Sequence, residues 1–189
     1  MTSTIARPDR GVTAPGPLLY LTEPRARLDQ LTTRFGQPVS LIASSLGGIY
    51  ARHLARRTGH AVRQVITLGS PIRLARKGPS HANRLVGDNS HWHIETWDRP
   101  LEHGDGPLPV PTTPIYTPLD GILAWRTCLN EPAPQAENSA VRASHLGFGH
   151  HPAVIWAIAD CLPQPAGHWA PFRPAPLLRP AYLLGERQP

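Results

Sequence analysis

The stretch PVSLIASSLGGIYA, residues 38–51, decides the fold of this chain. It reads as an apolar strand, a sharp turn of small residues and then a helix. Such a turn lifts Ser45 above the end of a parallel sheet, where its hydroxyl can act as a nucleophile. Ala43 and Gly47 are small enough for the backbone to fold tightly beside it. In the alternative interpretation, Ser45 only caps the helix that follows.

The sequence on either side of this turn predicts alternating helices and strands. Thr22 caps a first helix, with Pro24 in its first turn and an apolar stripe of Leu28, Leu31 and Phe35. A strand, a helix and a second strand in succession predict a right-handed parallel crossover. The predicted elements are a helix over 22–35, a strand over 38–44, a helix over 46–58 and a strand over 62–68.

Asp120 and His145 come later in the chain, each after a predicted strand. Asp120 ends a short strand that begins near residue 112, and His145 ends the segment 138–145. Because the carboxyl ends of parallel strands meet at one rim, we expect both side chains beside Ser45. There His145 accepts the hydroxyl proton and Asp120 orients the imidazole. In the alternative interpretation, Asp120 belongs to a plain Asp-Gly turn and His145 is a polar loop residue.

Two more helices are predicted in this half of the chain, one over 122–129 and one that Pro152 opens. His151 is expected at the start of the second, whose apolar residues are Val154, Ile155, Ile158 and Leu162. Cys128 and Cys161 are the only cysteines and fall in these helices. We expect two buried thiols, with one disulfide as the alternative.

From about residue 28 to residue 172, the sequence resembles bacterial serine hydrolases of the lipase and esterase type in the α/β-hydrolase superfamily. The superfamily writes its serine turn, the nucleophile elbow, as G-x-S-x-G, and here Ala43 stands in the first glycine place. The most specific matches are D-G-I-L-A-W at 120–125 and S-H-L-G-F-G-H at 144–150. The other matching runs are 38–51, 63–71 and the remainder of 116–126 and 144–160.

The resemblance implies an α/β fold with a mostly parallel sheet and flanking helices. It implies a Ser45-Asp120-His145 triad that cleaves a small-molecule or lipid-like carboxylic ester through an acyl-enzyme, without a cofactor. The Leu46 backbone N–H would donate one hydrogen bond in the oxyanion hole, and no residue is identified for a second.

Only 44 residues precede Ser45, whereas the superfamily places several strands before its serine. We therefore expect a truncated form of the fold. The alternative function is a catalytically inactive hydrolase-like protein that acts as a binding or partner subunit. Val39, Leu41 and Ile42 would then lie on an exposed sheet edge, which favours self-association. Residues 17–21 either cover this edge or begin the first helix.

The chain of 189 residues is long enough for one core. We expect a disordered N-terminus over 1–16, a core over 17–162 and a proline-rich tail over 163–189, anchored by Trp169 and Phe172. An irregular insert over about 71–111 lies where the superfamily places a cap or lid. Its Trp92 and Trp97 either shape an acyl pocket or pack on the core.

The formal net charge of +6 comes almost wholly from scattered arginines, since Lys77 is the only lysine. Without a basic run, this pattern argues against a nucleic-acid partner. The pairs His91/His93 and His150/His151 lack the spacing of a zinc site, so no metal is expected. No apolar run is long enough for a transmembrane segment, and residues 1–16 lack the apolar core of a signal peptide. We expect a cytoplasmic protein, unless a leader precedes this start.

Overall fold

A computed structural model describes residues 19–73, 106–165 and 167–183. The predictions for residues 1–16 and for most of the insert over 71–111, including both tryptophans and the pair His91/His93, lie outside these ranges. Two of the described helices, α1 (Leu19–Phe35) and α2 (Leu46–Arg57), come before the insert, and α3 (Pro152–Cys161) comes after it.

Four parallel strands form the sheet, in the spatial order β1-β2-β3-β4. They are β1 (Val39–Ser44), β2 (Val62–Leu68), β3 (Thr112–Tyr116) and β4 (Ser139–Ala140). Ser44 is level with Leu68, and Leu68 is level with Ile115. The carboxyl ends of the first three strands therefore meet at one rim. The predicted fold class, a parallel sheet with flanking helices, is confirmed.

The core has two layers, one on each face of the sheet. On one face, α1 and α2 pack through Leu28, Ala51 and Ala55 against Val62 and Val65. On the other face, α3 packs against the sheet. Its buried apolar set is Ile66, Leu68, Ile115, Val141, Ala143, Phe148, Ala153, Val154, Ala157, Cys161, Phe172 and Tyr182. β2 is buried on both faces, as expected for an inner strand of a parallel sheet.

The first helix ends at Phe35 as predicted, but its start and its apolar stripe differ from the prediction. It begins at Leu19, three residues before Thr22, so residues 19–21 begin the first helix, as one of the two interpretations of this segment expected. Pro24 consequently lies in the second turn, where it removes one i→i−4 hydrogen bond. Phe35 is 58% exposed, so it does not extend the apolar stripe to which Leu28 belongs. Its ring instead lies under the Arg34 guanidinium, 5.3 Å from the centroid.

The predicted helix over 122–129 is wrong, because only a 3₁₀ turn forms, from Trp125 to Cys128. Gly121 has a φ of 74°, which is outside the right-handed helical region and prevents a helix from starting there. The Trp125 ring then stacks on Tyr116, 5.5 Å between centroids, and fixes the turn against β3.

The helix that Pro152 opens is confirmed as α3, but one of its predicted apolar contacts is not. Ile155 is 52% exposed, whereas Ala153, Val154, Ala157 and Cys161 are buried. Small residues at this spacing let the helix approach the sheet closely, and the larger Ile155 is left on the outer side. His151 lies at the N-cap position, where its Nδ1 accepts a hydrogen bond from the Ala153 N–H (3.3 Å).

The two outer strands are covered differently. The tail lies along β4, with an antiparallel bridge between Val141 and Tyr182 and a hydrogen bond from the Leu183 N–H to the Ala140 carbonyl (3.0 Å). In the part of the chain that the structure describes, β1 pairs only with β2, and Ile42 is 44% exposed. Pairing of this edge with a second chain stays a prediction.

Cys128 and Cys161 are free and buried, as expected. Within residues 19–73, 106–165 and 167–183, no helix is both long and apolar enough to cross a membrane. The cytoplasmic location stays a prediction. The same ranges hold no cluster of three or more histidine, cysteine or carboxylate side chains that could bind a metal ion.

Candidate active site

Ser45 occupies a strained position between β1 and α2. Its φ of 50° and ψ of −126° make it the one non-glycine residue with positive φ among the described residues. Such a conformation costs on the order of 1–3 kcal/mol and persists only where the surroundings enforce it. Here the Ser45 N–H donates to the Leu68 carbonyl (2.9 Å), at the end of β2. Ser45 stands at the N-cap position of α2, but its side chain makes no capping hydrogen bond, so the interpretation that its hydroxyl caps the helix is wrong.

The close approach at this turn occurs at Gly48 rather than at Gly47. A Cβ added at Gly47 would lie 3.7 Å from the Ala43 Cβ, which is an ordinary contact. A Cβ added at Gly48 would lie 2.1 Å from the Ser70 Oγ, in space that is already filled. The second residue of the Gly-Gly pair was the available signal, because adjacent glycines after a strand indicate close backbone packing.

The structure brings Ser45, Asp120 and His145 together. The His145 Nε2 lies 3.2 Å from the Ser45 Oγ, and its Nδ1 lies 2.8 Å from the Asp120 Oδ2. Residues separated by 100 and 25 positions in the chain therefore form one continuous hydrogen-bonded series. The spacing at Nδ1 is that of a charge-assisted hydrogen bond, which stabilises an imidazolium.

Backbone groups fix the Asp120 carboxylate. Its Oδ1 accepts hydrogen bonds from the Ile122 N–H (3.0 Å) and the Leu123 N–H (2.7 Å). Oδ2 is left to face His145, and the residue is 5% exposed. The carboxylate therefore has one orientation, in which one oxygen holds the loop and the other holds the imidazole.

Thr117 joins the loops that carry the acid and the histidine. Its buried hydroxyl donates to the Ala143 carbonyl (3.0 Å) and accepts from the Leu119 N–H (3.1 Å). The sequence offered one signal for this residue, since a threonine just after a strand often forms such a local turn.

Exposed leucines flank the acid and the imidazole. Leu119, next to Asp120, is 63% exposed, and Leu146, next to His145, is 82% exposed. Leu46 follows Ser45 in the first turn of α2 and is half-buried. The two exposed leucines therefore place apolar side chains at the surface beside the acid and the histidine.

The nearby thiol is not available for reaction. Burial, and then the charge of Asp120, raise the pKa of Cys128 to about 12. A thiol with this pKa is protonated at neutral pH and is a poor nucleophile. The side chain that the His145 Nε2 faces is the hydroxyl of Ser45.

Known structures share this architecture. A variant of PytH matches with a TM-score of 0.54 and 18% identity, over 78% of this chain and 79% of that one. PytH itself, a pyrethroid hydrolase, matches with a TM-score of 0.50. The propeptide form of the Bacillus licheniformis lipase BlEst2 matches with a TM-score of 0.51 and 16% identity, over 82% of this chain and 42% of that one.

The chain has the α/β-hydrolase fold. It spans 62% of the mature form of BlEst2. A scan of protein-family models gave no match, and neither did a comparison with curated protein sequences. At these identities, the likeness establishes the fold, and the chemistry must be argued from the side chains.

Proposed function

We propose that this chain is a serine hydrolase that cleaves carboxylic esters, with Ser45, His145 and Asp120 as its catalytic residues. One observation carries the proposal. The Oγ of the conformationally strained Ser45 lies 3.2 Å from the His145 Nε2, and the Nδ1 of the same ring lies 2.8 Å from the buried Asp120 carboxylate. A nucleophile, a base and an orienting acid in this order can perform acyl transfer.

In the proposed reaction, the Ser45 Oγ attacks the ester carbonyl while the His145 Nε2 takes the hydroxyl proton. The Asp120 carboxylate holds the Nδ1–H and stabilises the imidazolium. The Leu46 N–H, at the start of α2, donates to the oxyanion of the tetrahedral intermediate. His145 then protonates the leaving alcohol, and water hydrolyses the acyl-enzyme by the reverse sequence of proton transfers.

Two exposed leucines beside the acid and the histidine support an ester with an apolar acyl or alcohol group. Leu119 and Leu146 flank the reacting side chains and are largely exposed. Burial of apolar area against them would contribute roughly 25 cal/mol per Å² to binding. The substrate class in this proposal is therefore a small-molecule or lipid-like ester.

A fluorophosphonate probe tests the nucleophile directly, because it phosphonylates an activated serine. We expect the wild-type chain and Ser44→Ala to be labelled and Ser45→Ala to remain unlabelled, as measured by intact-mass spectrometry. Ser44 is a matched control, since it is adjacent and its Oγ donates a hydrogen bond to the Leu68 carbonyl (3.4 Å).

Two results would contradict the proposal. Labelling that persists in Ser45→Ala would assign the nucleophile to another residue. No labelling of a wild-type sample that shows cooperative unfolding would favour the inactive hydrolase-like protein instead.

A further inference from the structure

We infer that Gly69 and Phe148 form a seat for the His145 imidazole and are positioning residues for the proposed reaction, on which this inference rests. Neither residue contacts a reacting atom of the ester. Their role would be to hold the imidazole where it meets both Ser45 and Asp120.

Gly69 lies directly after β2 and leaves room for two rings. A Cβ added there would lie 2.4 Å from the Phe148 Cε2 and 3.2 Å from the His145 Nδ1. Its φ of 51° also favours glycine. The Nδ1 atom that a side chain would crowd is the one that faces Asp120.

Phe148 is the fixed side of the seat. It is 1% exposed and belongs to the core set between the sheet and α3. Its ring meets the imidazole edge-on, with centroids 6.1 Å apart and planes at 77°. Because a buried aromatic ring in a packed core has little freedom, it restricts the neighbouring imidazole as well.

The end of β2 positions both partners of the proton transfer. The Leu68 carbonyl accepts the Ser45 N–H (2.9 Å), and the next residue, Gly69, supplies the seat for His145. The Gly69 N–H donates to the Ile115 carbonyl (2.9 Å), which fixes this corner to β3. Two consecutive backbone units therefore set the separation between the serine and the imidazole.

The test replaces Phe148 with a smaller apolar side chain. We expect Phe148→Leu to lower the rate of fluorophosphonate labelling about 10²-fold, since a small displacement of a catalytic group can have this effect. In ester hydrolysis the loss should appear in kcat, with KM little changed. The downfield proton resonance of the imidazole Nδ1–H should also move upfield as the bond to Asp120 weakens.

Ile66→Val is the matched control. Ile66 is fully buried in the same core set but belongs to β2, two positions before the end of the strand at Leu68. This variant should lose stability while keeping the wild-type labelling rate and the Nδ1–H resonance. Gly69→Ala provides a second test of the seat, with the same losses expected as for Phe148→Leu.

Two results would overturn the inference. One is a wild-type labelling rate and resonance in Phe148→Leu, and the other is an equal loss of both in Ile66→Val. The resonance is read without substrate, so it separates this inference from the proposed function. An unlabelled wild-type chain whose resonance moves only in Phe148→Leu would reject the reaction and retain the seat.

Discussion

Asp120 and Glu137 are carboxylates at opposite ends of the same sheet. Asp120 follows the carboxyl end of β3, and Glu137 precedes β4, where its N–H donates to the Thr112 carbonyl (3.2 Å). Each carboxylate accepts a hydrogen bond from main-chain N–H groups. They differ in what the remaining oxygen meets. Asp120 meets an imidazole, and Glu137 meets the Thr113 hydroxyl (2.9 Å).

The difference shows how one chemical group serves two purposes. Both oxygens of Glu137 bind structural groups, because the second one accepts the Phe172 N–H (2.7 Å) and ties the tail to the sheet. Only one oxygen of Asp120 binds the backbone, and the other is directed at a side chain that faces Ser45. We therefore expect substitutions at the Asp120 end to change activity and those at the Glu137 end to change stability.

The largest effect is expected for Asp120→Asn. Turnover of a short-chain ester should fall on the order of 10⁴-fold, because an amide no longer stabilises the imidazolium or its tautomer. The free energy of unfolding should change little, since the amide oxygen can still accept the N–H groups of Ile122 and Leu123. Initial rates and urea unfolding measure the two quantities, with the exposed Glu131→Gln as control. Unchanged turnover would assign the orienting role to another carboxylate.

A smaller effect, confined to stability, is expected for Phe172→Ala. Phe172 is buried against Tyr182, with ring centroids 5.0 Å apart, and the cavity should lower the free energy of unfolding by about 3–5 kcal/mol. Leu177→Ala removes an exposed side chain of the same tail and should stay within roughly 0.5 kcal/mol of the wild type. Urea unfolding compares them, and similar values for both variants would show that the tail adds nothing to the core.

The smallest effect is a pH dependence that Glu137→Gln should remove. Burial, more than the nearby Asp160, raises the pKa of Glu137 above its ordinary 4.5. As pH rises above 4.5, Glu137 therefore loses its proton at a lower pH in the unfolded chain than in the folded chain. The wild type should lose stability relative to Glu137→Gln as pH rises through this window. Urea unfolding at pH 4, 6 and 8 measures the difference, and a constant difference would contradict the shift.

Local patterns predicted the part of the fold that carries the serine. β2 was predicted at its observed bounds, and β1 and α2 within one residue, because apolar runs define the strands and an apolar stripe and a glycine define the helix. The chain order of Ser45, Asp120 and His145 also predicted their meeting. Residues that follow different strands of a parallel sheet meet at one rim, so their proximity can be predicted from the order of the elements alone.

The remaining features depend on contacts that no local pattern records. Residues 122–129 have helical periodicity, but Gly121 has positive φ and the Asp120 carboxylate holds the two N–H groups that follow. The seat formed by Gly69 and Phe148 requires the register between β2 and β3. A glycine after a strand indicates close packing, and only the assembled sheet shows which ring fills the space.

The reactivity of the two buried cysteines can report local unfolding of the segments around them. Cys128 is buried in a cluster with Tyr116, at the end of the sheet that carries Asp120. Cys161 is buried at the end of α3, in the core set that includes residues of the tail. Burial raises the pKa of each thiol to about 12, so alkylating reagents can react only after the surrounding segment separates from the core. The alkylation rate of each cysteine would therefore measure local unfolding of its own region, independently of the other region.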